Sequence, residues 1–297
     1  MMISLMTIIL GGIILGVQSA TNGKLSASIG ALETALLNFV VGAILLGFWL
    51  LLTWDGRLLR IVTVPKWQLF GVVFGTGYLV LMILAVPQIG VVASNIVAIA
   101  GQLIASFLID NFGIFGSTVI PYGWQRFGAT LLLIAALVFL YRDQNKQAGP
   151  QDHSLGQLFC YLLALLAGSF LSFEGTMYSE LGKTIGTFES SFYNFFAGSF
   201  LLFLLVLFFG KGSFSGIRTN SSWYLLGGLY GVIYLTSLVF GIPTLGVGIA
   251  MIGIVVGQVV ISMLIEAFGW FGSPKQPITG ARIVALVLMF GALVFIY

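Results

Sequence analysis

The chain has 297 residues; 59% are hydrophobic and only 7% charged, 12 Lys and Arg against 9 Asp and Glu. A soluble domain of this length carries roughly a quarter of its residues as charges. The composition therefore excludes a soluble globular fold, a basic nucleic-acid-binding module and a disordered tail, and points to an all-α polytopic membrane protein whose first partner is the lipid bilayer.

The formal net charge of +3 suits cationic loops between membrane spans and implies no nucleic acid. Cys160 and His153 are each single in the sequence. One cysteine makes no intramolecular disulfide and no thiolate metal site. His153 falls in a polar stretch and reads as solvated. Catalytic sites commonly draw on His, Cys or clustered acids, so an enzyme is not expected, nor a metal or cofactor. Met1, Met2, Ile3 and Ser4 carry no basic run, so the first apolar segment is expected to be retained.

In chain order, ten apolar segments lie at about 3–22, 33–53, 67–86, 90–110, 120–141, 158–179, 189–209, 223–242, 246–267 and 280–297. Runs such as Leu131 to Leu140 are apolar on every face, unlike the alternating strands of a barrel. Pro87 before Gly90 and Pro243 before Gly246 are expected to end helices and turn the chain. The only long polar run, 142–156, reads as a linker between units 1–141 and 157–297.

An offset of 156 residues lays the second unit on the first without a gap. Gly12 meets Gly168, Gly30 meets Gly186, Glu33 meets Glu189, and Asn38-Phe39 meets Asn194-Phe195. Trp67 meets Trp223, Tyr78 meets Tyr234, Pro87 meets Pro243, Gly101-Gln102 meets Gly257-Gln258, and Arg126 meets Arg282. Roughly a third of the aligned positions are identical, and scattered Gly, Pro, Asn, Gln and Trp do not align through apolar bias alone. Five crossings per unit is an odd number. The second unit must enter from the opposite face, which makes the pair inverted repeats of the kind found in secondary transporters. Cationic residues number five on the face where the first helix begins and seven on the other, too even to orient the chain.

Ionisable groups inside spans are costly and so are functional candidates. Glu174 lies within the sixth segment, and its counterpart is Gln18. Gln18 with Asn22, and Glu174 with Tyr178, are i,i+4 pairs expected to face one central cavity. A carboxyl group there can exchange a proton for a cationic or polar substrate. Glu33 and Glu189 fall in first helical turns, where the dipole favours an acid. Asn38 and Asn194 lie two turns deeper and either bridge helices or line the path. Tyr193, i,i+4 from Glu189, extends that wall. Gln102 and Gln258 sit near mid-span beside glycines and serve as interhelical bonds or substrate contacts. Asp110 and Glu266 close their spans and are expected in interfacial water. Tyr78, Tyr234, Trp67 and Trp223 suit an aromatic belt at the headgroups.

The run from Gly11 to Asn22, with Gly30, Asn38-Phe39 and Gly42, resembles the YdcZ-like branch of the drug/metabolite transporter superfamily. The resemblance covers nearly the whole chain, once per unit, and implies two fused five-helix units and inner-membrane export. The stretch Gly168 to Tyr178 is also similar to the first helix of the four-helix small multidrug-resistance exporters, in which a glutamate binds protons and cationic substrates in competition. Glu174 stands near that position. Gln18 departs from the pattern, which implies at most one such site per chain.

The expectation is a secondary active exporter of a small organic metabolite or drug-like solute across the cytoplasmic membrane. It would work by alternating access, as a monomer or homodimer, with protons as the candidate coupling ion. No Gly-x-x-x-x-Gly-Lys-Ser/Thr motif is present to use ATP directly. The alternatives are a passive channel or facilitator, and a non-transporting membrane assembly subunit whose polar residues only join helices.

Overall fold

The computed structural model describes residues 1–121, 123–148, 155–219, 225–272 and 275–296. The expectations for His153 and Trp223 lie outside the described residues. The helices are α1 (Met2–Ile29), α2 (Ala31–Leu52), α3 (Gly71–Ile89), α4 (Val91–Phe112), α5 (Trp124–Ala148), α6 (Leu155–Ile185), α7 (Thr187–Phe209), α8 (Gly227–Leu245), α9 (Val247–Phe268) and α10 (Gly280–Ile296). The first nine contain stretches long and apolar enough to cross a membrane, and α10 is a shorter apolar helix of 17 residues.

The repeat is written in the backbone. Gly30 and Gly186 turn the chain at φ 102° and 106°, and Gly90 and Gly246 at 82° and 80°. These are values glycine adopts without the steric cost of a Cβ. Phe115 and Phe271 share an uncommon φ of 58° and 55° at matching positions. The helices run past Pro87 and Pro243 and stop at Gly90 and Gly246, so the glycines rather than the prolines make the corners. Helices α1 and α6 are longer than their apolar cores, at 28 and 31 residues. At 1.5 Å per residue each exceeds a hydrocarbon thickness of about 30 Å, so its polar end emerges without having to unwind. Helix α5 likewise runs seven residues into the polar stretch, from Arg142 to Ala148, which holds no Gly or Pro to stop it.

Each repeat lends its first helix to the other. Helix α1 packs on α8 and α9, α6 packs on α3 and α4, α2 pairs with α7, and α5 with α10. Lipid tails offer no hydrophobic drive between helices, so association rests on close packing through small residues. A Cβ at Gly12 would lie 2.1 Å from the Ile254 carbonyl oxygen, and one at Gly257 2.2 Å from that of Ile9. The matching crossing repeats this: Gly168 meets the Ala98 oxygen at 1.7 Å and Gly101 that of Leu165 at 1.9 Å. Ser172 Oγ adds an interhelical bond to the Gln102 carbonyl at 2.7 Å.

Several charges expected in interfacial water are buried. Asp110 is fully buried and accepts from Arg126 Nη1 at 3.1 Å and from the backbone N–H of Val247 and Gly248 at 2.8 and 2.9 Å. Arg282, counted as a loop cation, is buried and donates through Nη1 to Glu266 at 2.5 Å and through Nε to Asp143 at 3.1 Å. A charge leaves water when paired groups replace its hydration, and here the partners come from a second helix. Only the Glu266 side chain keeps about a third of its surface exposed.

Candidate functional site

A cavity of about 380 Å³ lies between the two repeats. Its walls hold Gln18 and Asn22 from α1, Asn38 from α2, Gln102 from α4, Glu174 from α6, Asn194 from α7 and Gln258 from α9. Tyr78, Tyr234, Phe39 and Phe195 supply aromatic surface.

Glu174 and Gln18 occupy matching seats. Each side chain lies where a glycine of the opposite repeat leaves room. A Cβ at Gly75 would lie 2.2 Å from Glu174 Oε1, and one at Gly231 would lie 2.9 Å from Gln18 Nε2. Glu174 is 6% exposed and is hydrogen-bonded by the Asn194 side chain. Gln18 donates to the Gly227 carbonyl at 2.8 Å. Asn38 donates through Nδ2 to Asn22 Oδ1 at 2.9 Å. Asn38 Oδ1 and Asn194 Oδ1 are buried without a hydrogen bond, and an unmet acceptor beside a cavity is a place for a ligand donor. Gly75→Ala is expected to push the Glu174 carboxyl out of its seat while the fold persists. Overpacking of this kind costs the fold about 1–3 kcal/mol, and a ligand held by the displaced Glu174 should bind more weakly in a thermal-shift titration.

Four sequence candidates stand elsewhere. Tyr178 is fully buried, with its ring against Gly71 and 6.3 Å from that of Tyr193. Tyr193 Oη donates to the Leu69 carbonyl at 3.4 Å. Glu33 accepts from the Gly212 N–H at 2.7 Å and ties the loop after α7 to the start of α2. Glu189 folds back over Gly186, where a Cβ would meet its Oε2 at 2.1 Å. Gln102 lines the cavity but donates to Met251 Sδ at 3.0 Å, an interhelical bond.

The belt expected of Tyr78 and Tyr234 is corrected, because both rings line the cavity. Each lies about 10 Å along its helix, too deep for a headgroup. Trp67 stacks on Phe115, centroids 5.9 Å apart. Asn95, also in the wall, had no sequence signal, since its counterpart is Met251.

Among the described residues, the cavity's lining reaches the helix ends on one face, its mouth. Its lining extends to Ser26, Ala31, Val86 and Asn95, at the ends of α1 and α3 and the starts of α2 and α4. These mark the far face, opposite the near face where α1 begins. On the near face, α6 packs on α8 and α9. A Cβ at Gly175 would touch Met251 at 3.0 Å, and Val247, Ala250, Met251 and Ile254 are fully buried. A mostly apolar pocket with a few amides and one carboxyl is suited to hold a small organic solute.

No protein of curated function matches the chain. One crystal structure superposes with a TM-score of 0.74 over 99% of this chain and 94% of its own, at 18% identity, a likeness that shows the fold alone. A family model described as "Putative inner membrane exporter, YdcZ" matches twice, over residues 3–139 and 159–295. The two matches begin 156 residues apart, the offset at which the glycine corners, the helix crossings and the seats of Gln18 and Glu174 repeat. The chain therefore belongs to the YdcZ family of inner-membrane exporters in the drug/metabolite transporter superfamily, with the family's five-helix unit present twice.

Proposed function

We propose that the protein exports a small organic metabolite or drug-like solute by alternating access, with Glu174 binding solute and proton in turn. The observation that carries this reading is the placement of Glu174. It is the only carboxylate lining a cavity shared by both repeats, among the described residues, and its counterpart Gln18 cannot titrate. Inverted repeats that share one site can exchange conformations and expose it to each face in turn. The mouth on the far face and the packed near face fit one member of such a pair of states.

A thermal-shift screen of the purified protein against metabolites and organic cations provides the first test. A solute at about a hundredfold above its Kd adds about 2.7 kcal/mol to stability. We expect at least one solute to raise the Tm of the wild type and to raise it less for Glu174→Gln. If no solute raises the Tm, the assembly-subunit reading gains. A uniform rise in both proteins would remove Glu174 from the site.

A further inference from the structure

The repeat relates the two ends of the cavity, so each contact sealing the near face has a counterpart on the far face. Asp110, near the end of α4, accepts from the first two N–H groups of α9, those of Val247 and Gly248. Its counterpart is Glu266, near the end of α9, and theirs are Val91 and Val92, which begin α4. Two turns in from Asp110, Gln102 donates to Met251 on the sealed side. The counterparts there are Gln258 and Asn95, both lining the open cavity. At the near-face end of α6, a Cβ at Gly182 would lie 2.5 Å from Val239 Cγ1 on α8. The counterparts, Ser26 and Ile83, stand on α1 and α3, the helices that flank the mouth.

We propose that Glu266, aided by Gln258, is the latch of the far face. In the alternate state Glu266 accepts the N–H groups of Val91 and Val92, Gln258 pairs with Asn95, and Asp110 releases α9. The proposal rests on alternating access and adds which groups hold each state. The first N–H groups of a helix lack intrahelical partners, and the helix dipole favours an anion beside them. Asp110 fills that role now and is fully buried, while its counterpart Glu266 is held by Arg282 and keeps a third of its side-chain surface exposed. The two ends differ in their acids, Asp110 at one and the longer Glu266 at the other. The amide pairing differs in the same sense. Gln102 now donates to a thioether, a weak acceptor, whereas Gln258 would meet the full donor and acceptor of Asn95. Each state thus has one carboxylate on a helix start and one glutamine bond beneath it, which keeps the two close in free energy.

Disulfide trapping tests this in native membranes, in a Cys160→Ser background. Ser26→Cys with Ile83→Cys reports closure of the far face, and Gly182→Cys with Val239→Cys reports closure of the near face. We expect both pairs to cross-link in the otherwise wild-type protein, as molecules exchange between states. A hydrogen bond to a charged group shifts a two-state ratio by about tenfold or more. Glu266→Gln should therefore slow far-face cross-linking about tenfold, and Glu266→Asp, which keeps a carboxylate of the length that Asp110 uses at the matching place, should slow it less. Near-face cross-linking should persist in both variants, which also shows that they fold. Far-face cross-linking at the wild-type rate in Glu266→Gln would overturn the latch and leave alternating access standing. A far-face pair that never cross-links while the near-face pair does would overturn alternating access, and the latch with it.

Discussion

Gly168→Leu is expected to eliminate the folded protein. At this crossing α6 lies so close to α4 that even a Cβ would stand 1.7 Å from the Ala98 carbonyl oxygen, well inside van der Waals contact. The obstacle is backbone and cannot rotate away. The neighbouring Gly101 makes the reciprocal approach to Leu165 at 1.9 Å, so the two helices cannot slide to a new register without a second clash. Separating them breaks the Ser172 bond to Gln102 and unseats the helix that carries Glu174. In lipid no hydrophobic force holds the separated helices together. Gly12→Leu should do the same at the α1–α9 crossing, where the oxygen is that of Ile254. Size-exclusion chromatography of the expressed variants checks both. Gly23→Leu is the control, because a Cβ there meets nothing within 4 Å. Monodisperse, ligand-responsive Gly168→Leu protein would contradict the crossing.

Arg126→Ala is expected to have the second largest effect. It strands a carboxylate that is fully buried and keeps only the two backbone N–H groups of α9 as partners. Breaking a buried pair by removing one member costs about 3–5 kcal/mol. For a chain of this size that corresponds to a fall of roughly 5–15 °C in melting temperature. Arg57→Ala removes an ion pair of 2.5 Å, shorter than the 3.1 Å of Arg126, but both its partners are exposed. Exposed pairs contribute about 0–1 kcal/mol, so its melting temperature should barely move. Equal effects of the two substitutions would contradict the burial of Asp110. Distance alone ranks these pairs the wrong way round; burial decides.

Much of the fold was legible because the repeat is carried by residues that are not interchangeable with ordinary apolar ones. Gly12 and Gly168, Gly101 and Gly257, and Gly30 and Gly186 align for reasons the structure makes explicit: two helix crossings and a pair of corners. The buried charges were not legible. Asp110 meets Val247 across 137 positions of sequence, and no local pattern signals that the end of α4 abuts the start of α9. Tyr78 and Tyr234 were misplaced because tyrosine is common at membrane interfaces, although their depth in α3 and α8 was available as a counter-signal.

Tyr178 is the most instructive miss. Asn22 and Tyr178 are counterparts, each four residues beyond Gln18 or Glu174. Asn22 lines the cavity while Tyr178 is fully buried. The end of α1 borders the mouth, and the end of α6 is packed on α8. A symmetric sequence pattern specifies both ends alike. The pattern therefore does not say that the end of α6 is packed while the end of α1 borders the cavity.

The central claim is that solute movement is coupled to protons through Glu174. Proteoliposomes with an imposed pH gradient test it most directly, using a solute that raises the Tm in the screen. The wild type should accumulate that solute against its gradient in the direction opposed to proton flow and lose the accumulation when a protonophore is added. Glu174→Gln, a near-isostere that cannot titrate, should lose gradient-driven accumulation while remaining folded. Proton-driven accumulation undiminished in Glu174→Gln would contradict the account.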